Sequence, residues 1–425
     1  MNSYKSFIFK SYNFDEQQKT LSLNYSFDDQ HDFCETFTFG FDYADYDKST
    51  LDRALQSLFF MAGVSYYKAF ATDKIEIRQG QLDSQSAQFF SETYQKGLGE
   101  FFYINNLDPH TSVPFKENID TLPSVPQSNS SGLLIGIGGG KDSLVSVEIL
   151  RNQPKVATWS VGHRSQLEPL IEKIGLPHFW VSRSIDRKIV ELNSQGARNG
   201  HIPISAILSC VGTVVAILTG YQDVVVSNEN SANEPTLHFR GVDINHQYSK
   251  SLTYETDYQK YLLHSLGNNS RYYSLLRPFS ELRIAEMFSE KTFDTYKETF
   301  SSCNRAFTQD SDHMIWCGEC AKCAFVFVAL TPFIARDELE KLWGKNLLLD
   351  PSLITTYKNL LGIDGQKPLD CVGEIKESRA AMKLAQDIYP ELNSYEFEIP
   401  ADYDYKTLSV HRMPDDIFAV LIPNI

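Results

Sequence analysis

The chain lacks a basic surplus, a long unbroken apolar run and any internal repeat. Each absence removes a class of function. With 54 acidic against 39 basic residues and a formal charge of −15, it has no cationic field with which to displace counterions from a nucleic-acid backbone, so nucleic acid is not an expected partner. Its most apolar stretch, residues 204–221, is interrupted by Ser205, Ser209, Gly212, Thr213 and Thr219. A bilayer core calls for about 20 predominantly apolar residues. The stretch also follows Pro203, a good first-turn residue, so it is expected to be a helix buried against a sheet, with no membrane partner. The opening segment MNSYKSFIFKSYNF lacks the apolar core and small-residue cleavage site of a secretory signal, and a cytoplasmic location is expected. In that compartment the seven cysteines point to metal binding or chemistry before disulfides. Cys34, Cys210 and Cys371 are scattered and read as packing or incidental residues.

What is present organises the 425 residues into several units. The first fifty alternate apolar and polar positions, as in SFIFKSYNF and TLSLNYSF, and read as antiparallel strands. Leu51, Leu55, Leu58 and Phe59 share one face of a helix expected over 49–68. An α+β unit over 1–115 is thus followed by a Pro/Ser-rich linker over 116–131, where Pro123 and Pro126 precede SNSSG. From 132 the pattern becomes β-α-β-α, with strands expected at 133–137, 156–161, 178–182, 223–227 and 274–278. This predicts an α/β domain over 132–335 built on a parallel, doubly wound sheet. A largely helical extension follows over 336–425, with helices in ARDELEKLW and ESRAAMKLAQDIY. Ligands of such sheets sit beyond the carboxyl ends of the strands. The sequence places GGGKDS, VGHRS and SNENSANE at those ends.

GIGGGKDSLVS, from Gly136 to Ser146, directly follows an apolar strand. Glycines let backbone N–H groups approach an anion, and the helix predicted to start near Asp142 or Ser143 adds its positive end. A plain β–α turn capped by Asp142 and Ser143 uses the same residues. Asp142 separates Lys141 from Ser143, which excludes the G-x-x-x-x-G-K-[ST] loop, and the glycine spacing is wrong for a dinucleotide fingerprint. The stretch resembles the pyrophosphatase loop, S-G-G-x-D-S, of enzymes that cleave ATP between its α and β phosphates. Gly139, Gly140, Asp142 and Ser143 match, and Gly138 stands where that loop has serine. The resemblance implies a HUP-like sheet that binds ATP.

A second motif is CNRAFTQDSDHMIWCGECAKC. Cys303, Cys317, Cys320 and Cys323 suit closed tetrahedral zinc of a structural kind, with His313 a possible substitute ligand. An iron–sulfur cluster or a redox pair draws on the same residue type.

GGGKDS, NGHIP, SNENSAN, INHQYSKS, RPFSELRIAE and WCGECAKCAFVF, in this order, resemble blocks of the MurL family of ATP-dependent UDP-N-acetylmuramoyl-L-alanyl-L-glutamate epimerases. The likeness spans about 135–333 and is weaker in the N-terminal strands. It implies inversion of the terminal L-glutamate of a UDP-muramoyl-dipeptide in peptidoglycan precursor synthesis, downstream of a ligase that adds L-glutamate, with ATP going to AMP and pyrophosphate. Adenylation would cancel the charge of the α-carboxylate and turn its carbonyl into an electron sink. Lys141 would then balance phosphate charge, while Asp142 and Ser143 help to hold Mg²⁺ or pyrophosphate beside Gly138, Gly139 and Gly140. Candidate bases are His201, His246 and Glu229, with Glu234 a further carboxylate and Tyr248 and Lys250 able to complete a substrate site. His163 is expected near adenine and Arg277 near phosphate, where a buried ion pair is its alternative. Two competitors remain: an adenylating ligase or amidotransferase similar to the queuosine-precursor nitrile synthases, which carry a comparable cysteine cluster, and a non-enzymatic nucleotide sensor.

Overall fold

The structure, a computed structural model, describes residues 4–307 and 314–424. Its strands are β1 (Ser6–Asp15), β2 (Thr20–Phe27), β3 (His31–Phe39), β4 (Lys74–Ile77), β5 (Leu133–Gly136), β6 (Val156–Val161), β7 (His178–Ser184), β8 (Asp223–Val226), β9 (Leu237–Phe239), β10 (Val242–Ile244) and β11 (Arg271–Ser274). Nine of them form one sheet in the order β11-β8-β5-β6-β7-β3-β2-β1-β4, and β9 and β10 pair as a separate ribbon. From β11 to β7 all neighbours are parallel. β3 then joins β7 antiparallel, from Thr36 opposite Ser184 to Phe39 opposite Val181.

The sequence patterns explain this mixture. Strands 1–3 carry large side chains at every second position. Leu21, Leu23, Tyr25 and Phe27 are buried along β2, with Phe33, Phe37 and Phe39 along β3, which gives the sheet one apolar face. The parallel strands are apolar at successive positions because both faces are covered. Leu134, Ala157 and Val224 join the core under the helices Lys48–Ala62 and Ile204–Thr219. Leu133, Ile135, Val156 and Val225 point into the other core, beneath the helices Lys141–Leu150, Glu281–Lys291 and Ala321–Leu330. The helix Ile375–Ile388 packs on Ala321–Leu330 and ties the largely helical C-terminal region to that second layer.

Residues on both sides of 116–131 build one sheet and one core, so the β-rich N-terminal segment is continuous with the α/β sheet instead of standing apart as a unit of its own. The connecting segment itself forms neither helix nor strand. It is held by side chains, with Asn269 Oδ1 accepting from Ser128 N at 2.6 Å. The last parallel strand begins at Arg271, three residues before the expected 274, and ends at Ser274. Its partner β8 stops at Val226, and Pro278 has no N–H to extend a ladder. The apolar stretch after Pro203 forms the buried helix Ile204–Thr219. No helix among the described residues is long and apolar enough to cross a membrane.

Gly212 fixes how closely that helix approaches the sheet. A Cβ there would lie 2.7 Å from Trp159 Cζ2 and 2.8 Å from Val224 Cγ1. Gly212→Val is expected to destabilise the protein by about 1–3 kcal/mol through overpacking, read as a lower midpoint in urea. An unchanged midpoint would contradict the close contact.

Candidate active site

The glycine loop turns sharply after β5. Gly139 has φ +90°, and a Cβ there would stand 2.7 Å from Met314 Sδ. A Cβ on Gly140 would approach Ser302 Cβ to 3.1 Å, whereas at Gly138 nothing lies within 4 Å. Ser301 N donates to Gly139 O at 2.9 Å, so the loop rests on the segment leading to Cys303. The helix Lys141–Leu150 has no side-chain cap at its N-terminus. Its first N–H groups are therefore available to an anion in front of Gly138. Ser143 Oγ donates to Gly140 O at 3.1 Å.

Lys141 departs from its expected place. It is 1% exposed and its ammonium is clasped between the carboxylates of Asp142 and Glu281, so it is turned into the protein and not toward a phosphate. Burial opposes its charge, but Asp142 and then Glu281 hold its pKa above the usual lysine range. Lys322 stands 3.5 Å from the other oxygen of Glu281. Burial likewise opposes the Glu281 charge, and Lys141 and Lys322 keep its pKa low. Oxygens of Asp142, Glu229 and Glu281 all lie within 4.8 Å of one another, an arrangement of hard ligands suited to a divalent cation. Burial and then Glu281 raise the pKa of Glu229, which a cation between them would reverse.

These groups adjoin a cavity of about 390 Å³ at the carboxyl ends of the parallel strands, where Gly138, Gly140, Asp142, Ser143, Lys250 and Lys322 are among the lining residues. Among the described residues, the cations of its lining are Lys250 and Lys322. Arg277 is not among the lining residues; it is fully buried, bonded to Glu255 at 3.0 Å and donating to Glu229 O at 2.6 Å. It serves as a structural ion pair, because its strand ends before it and turns it inward. His163 adopts φ 52° at the start of the helix Arg164–Ile174. It lies 4.4 Å from the ring of Phe307, which lines the cavity. A larger cavity of about 830 Å³ is lined by Tyr248, Ile244 and Lys260 among others. Its lining includes no glycine-loop residue.

The cysteine cluster closes one side. The sulfurs of Cys303, Cys317, Cys320 and Cys323 lie within 4.8 Å of one another, with Cys303–Cys320 at 3.9 Å and Cys317–Cys323 at 3.8 Å. A tetrahedral zinc with bonds of about 2.3 Å separates its sulfurs by about 3.8 Å. An iron–sulfur cube anchors each cysteine to a different iron and spreads them further. Backbone N–H groups of Arg305, Cys317, Glu319 and Cys323 donate to these sulfurs at 3.3–3.4 Å, as thiolate ligands require. The donor set fits a single metal ion. His313 lies outside the described residues.

The histidines expected as bases come together, with His201 and His246 having ring centroids 4.4 Å apart. Glu100, from the N-terminal segment, bonds His246 Nδ1. Burial and then the neighbouring His246 lower His201 to about 4. Burial also pulls on His246, but its bonds to Cys371 and Glu100 raise it to about 9. Neither imidazole lines the cavity; Cys371 does, although the sequence reading set it aside. Its sulfur is 3.2 Å from Lys250 Nζ. Burial would push the thiol up, yet Lys250, followed by His246 and Lys322, brings it down to about 6. Sequence reasoning also missed Glu281 and Lys322. Lys322 could have been found, since it sits between two cysteine ligands; Cys371 and Glu281 carry no local signal.

Residues 1–275 match the profile of the MurL N-terminal domain, and residues 299–393 that of the MurL C-terminal domain. A UDP-N-acetyl-alpha-D-muramoyl-L-alanyl-L-glutamate epimerase from Xanthomonas oryzae pv. oryzae is 36% identical over 412 residues, covering 91% of this chain and 90% of that protein. Epimerases of the same name from a Micromonospora strain and from Salinispora tropica are each 37% identical, covering 89% of this chain and 86% and 84% of the respective relatives. With both domain profiles matched and the likeness running through strands, glycine loop and cysteine cluster alike, the chain belongs to the MurL family.

Proposed function

We propose that the protein inverts the terminal L-glutamate of UDP-MurNAc-L-Ala-L-Glu to D-glutamate through a carboxyl adenylate, releasing AMP and pyrophosphate. The substrate comes from the names of its relatives. One observation supports the ATP chemistry: a glycine turn and an uncapped helix N-terminus share a cavity with Asp142 and two lysines. The reaction would take place in the cytoplasm, after a ligase has added L-glutamate to the nucleotide-linked precursor.

The backbone N–H groups at Gly138–Ser143 would receive the β and γ phosphates, the charge that develops as the α–β bond breaks. Asp142, Glu229 and Glu281 would hold Mg²⁺, which supplies charge neutralisation at the phosphates when bound. Lys141 holds Asp142 and Glu281 in place from behind, while Lys250 and Lys322 face the substrate side. Attack of the glutamate α-carboxylate on the α phosphorus gives an acyl adenylate, whose α-proton is far more acidic than that of a carboxylate. Cys303, Cys317, Cys320 and Cys323 would hold a structural zinc that fixes Ser301, Asn304 and Lys322 at the cavity wall.

Incubated with ATP, Mg²⁺ and UDP-MurNAc-L-Ala-L-Glu in D₂O, the protein is expected to form AMP, pyrophosphate and α-deuterated D-glutamate. The L-Ala residue should stay unlabelled because its carbonyl is an amide. ADP as the main product would overturn the adenylation, and a new amide with an unlabelled α-carbon would point to a ligase. Asp142→Ala should abolish turnover and, by taking one carboxylate from the buried Lys141 ammonium, lower stability by about 3–5 kcal/mol.

Purified protein should contain about one zinc per chain, as one closed four-thiolate site implies. Cys320→Ser should lower the folded yield more than it alters the activity of the folded fraction. Elemental analysis that finds iron with sulfide, or no metal, would refute the assignment.

A further inference from the structure

The adenylation machinery accounts for the glycine loop, the carboxylates and the cysteine cluster, but leaves the group that moves the α-proton unnamed. Epimerisation of an activated glutamate needs a base that is anionic or neutral at working pH and faces the reacting carbon. Of the expected candidates, Glu229 is packed into the carboxylate cluster. His201 and His246 contact each other, their rings tilted with centroids 4.4 Å apart, and are not part of the cavity lining.

We propose that Cys371 is a catalytic acid–base residue of the epimerisation, its sulfur exchanging the α-proton of the adenylated terminal glutamate. The proposal rests on the adenylation reading above. Three observations support it. Cys371 lines the same cavity as Gly138, Asp142 and Ser143, the space where an activated carboxyl would lie. Its neighbours are arranged to favour a thiolate: Lys250 Nζ lies at 3.2 Å, and the His246 imidazole, bonded to Glu100 through Nδ1, adds to its cationic surroundings. It is also a free thiol apart from the four cysteines that converge on one another, so neither a disulfide nor the metal site claims it.

The step balances without an added oxidant or reductant. The α C–H bond breaks, its proton forms an S–H bond, and the electron pair moves onto the carbonyl oxygen of the acyl adenylate to give an enolate. The enolate takes a proton on its other face from a solvent-exchanging donor, and its electron pair re-forms the C–H bond with inverted configuration. Water then cleaves the acyl adenylate to AMP and the D-carboxylate, and the thiol returns its proton to water in the cavity. In the reverse direction the thiol is the proton donor. His246 and Glu100 are positioning residues here, since they act through the sulfur.

The test compares the full-length wild type with Cys371→Ala and Cys371→Ser, using ATP, Mg²⁺ and UDP-MurNAc-L-Ala-L-Glu in D₂O. AMP release, α-deuterium in the glutamate and D-glutamate formation are measured separately. Both variants should keep AMP release within about threefold of wild type, while labelling and inversion fall about 100-fold or more, the loss expected on removing an acid–base group. Inversion at the wild-type rate in Cys371→Ala would overturn the proposal. An equal loss of AMP release and labelling would also overturn it, by assigning Cys371 to binding. Failure of the adenylation reading would instead show in the wild type as no AMP from this substrate. If the variants do not fold, carboxamidomethylation of wild-type Cys371 by iodoacetamide, mapped by mass spectrometry, should remove labelling in proportion to modification. Full labelling by protein modified at Cys371 would sink the idea.

Discussion

The buried ammonium of Lys141 is the constraint around which the site is assembled. It joins Asp142 at the helix start to Glu281 on a different helix, and Glu281 in turn engages Lys322 between two of the cysteines. The backbone N–H of Glu281 donates to Glu377 Oε1 at 2.9 Å, which adds the C-terminal helix Ile375–Ile388. Four segments distant in sequence therefore meet at one alternating line of charge. Such a buried network adds little stability over an apolar packing, but breaking it by removing one partner costs about 3–5 kcal/mol. Its value lies in register: the Lys141 ammonium fixes the Asp142 carboxylate at the edge of the cavity.

The parallel strands, the buried helix after Pro203, the glycine loop and the cysteine quartet were all legible in the sequence, because each is a local pattern. Alternation, apolar runs and ligand spacing are properties of a few neighbouring residues. The joining of the N-terminal strands to the parallel sheet is hidden from the sequence for the same reason. The proline-rich stretch at 116–131 breaks the local pattern, while the pairing of Phe39 with Val181 is a contact that no window of sequence contains. Lys141 and Arg277 were read as phosphate partners from their positions near strand ends. Position along a strand does not say whether a long cation turns toward the cavity or away from it, and here Glu281 and Glu255 decide.

Cys371 shows where local reading stops. In LDCVGE it is one cysteine with no second cysteine or histidine near it in sequence, and burial alone would make it inert. Its character comes from Lys250 and His246, brought to it by tertiary structure. The carboxylate behind His246 is Glu100, on the helix Gly99–Ile104 of the N-terminal segment. The strand-rich first part of the chain thus contributes to the site's electrostatics as well as to its core.

The segment that carries Cys371 is itself fixed by a close approach. A Cβ on Gly373 would lie 2.5 Å from Phe325 Cζ and 2.7 Å from Glu377 Oε2, so only glycine lets the backbone lie against the helix Ala321–Leu330. That helix begins at the cysteine quartet, and Asn304, next to Cys303, donates to Asp370 at 2.7 Å. The quartet therefore holds the glycine loop through Ser301 on one side and the Cys371 segment through Asn304 and Phe325 on the other. A metal ion there would set the distance between the glycine turn and the thiol, the two features that the proposed adenylate would have to reach at once.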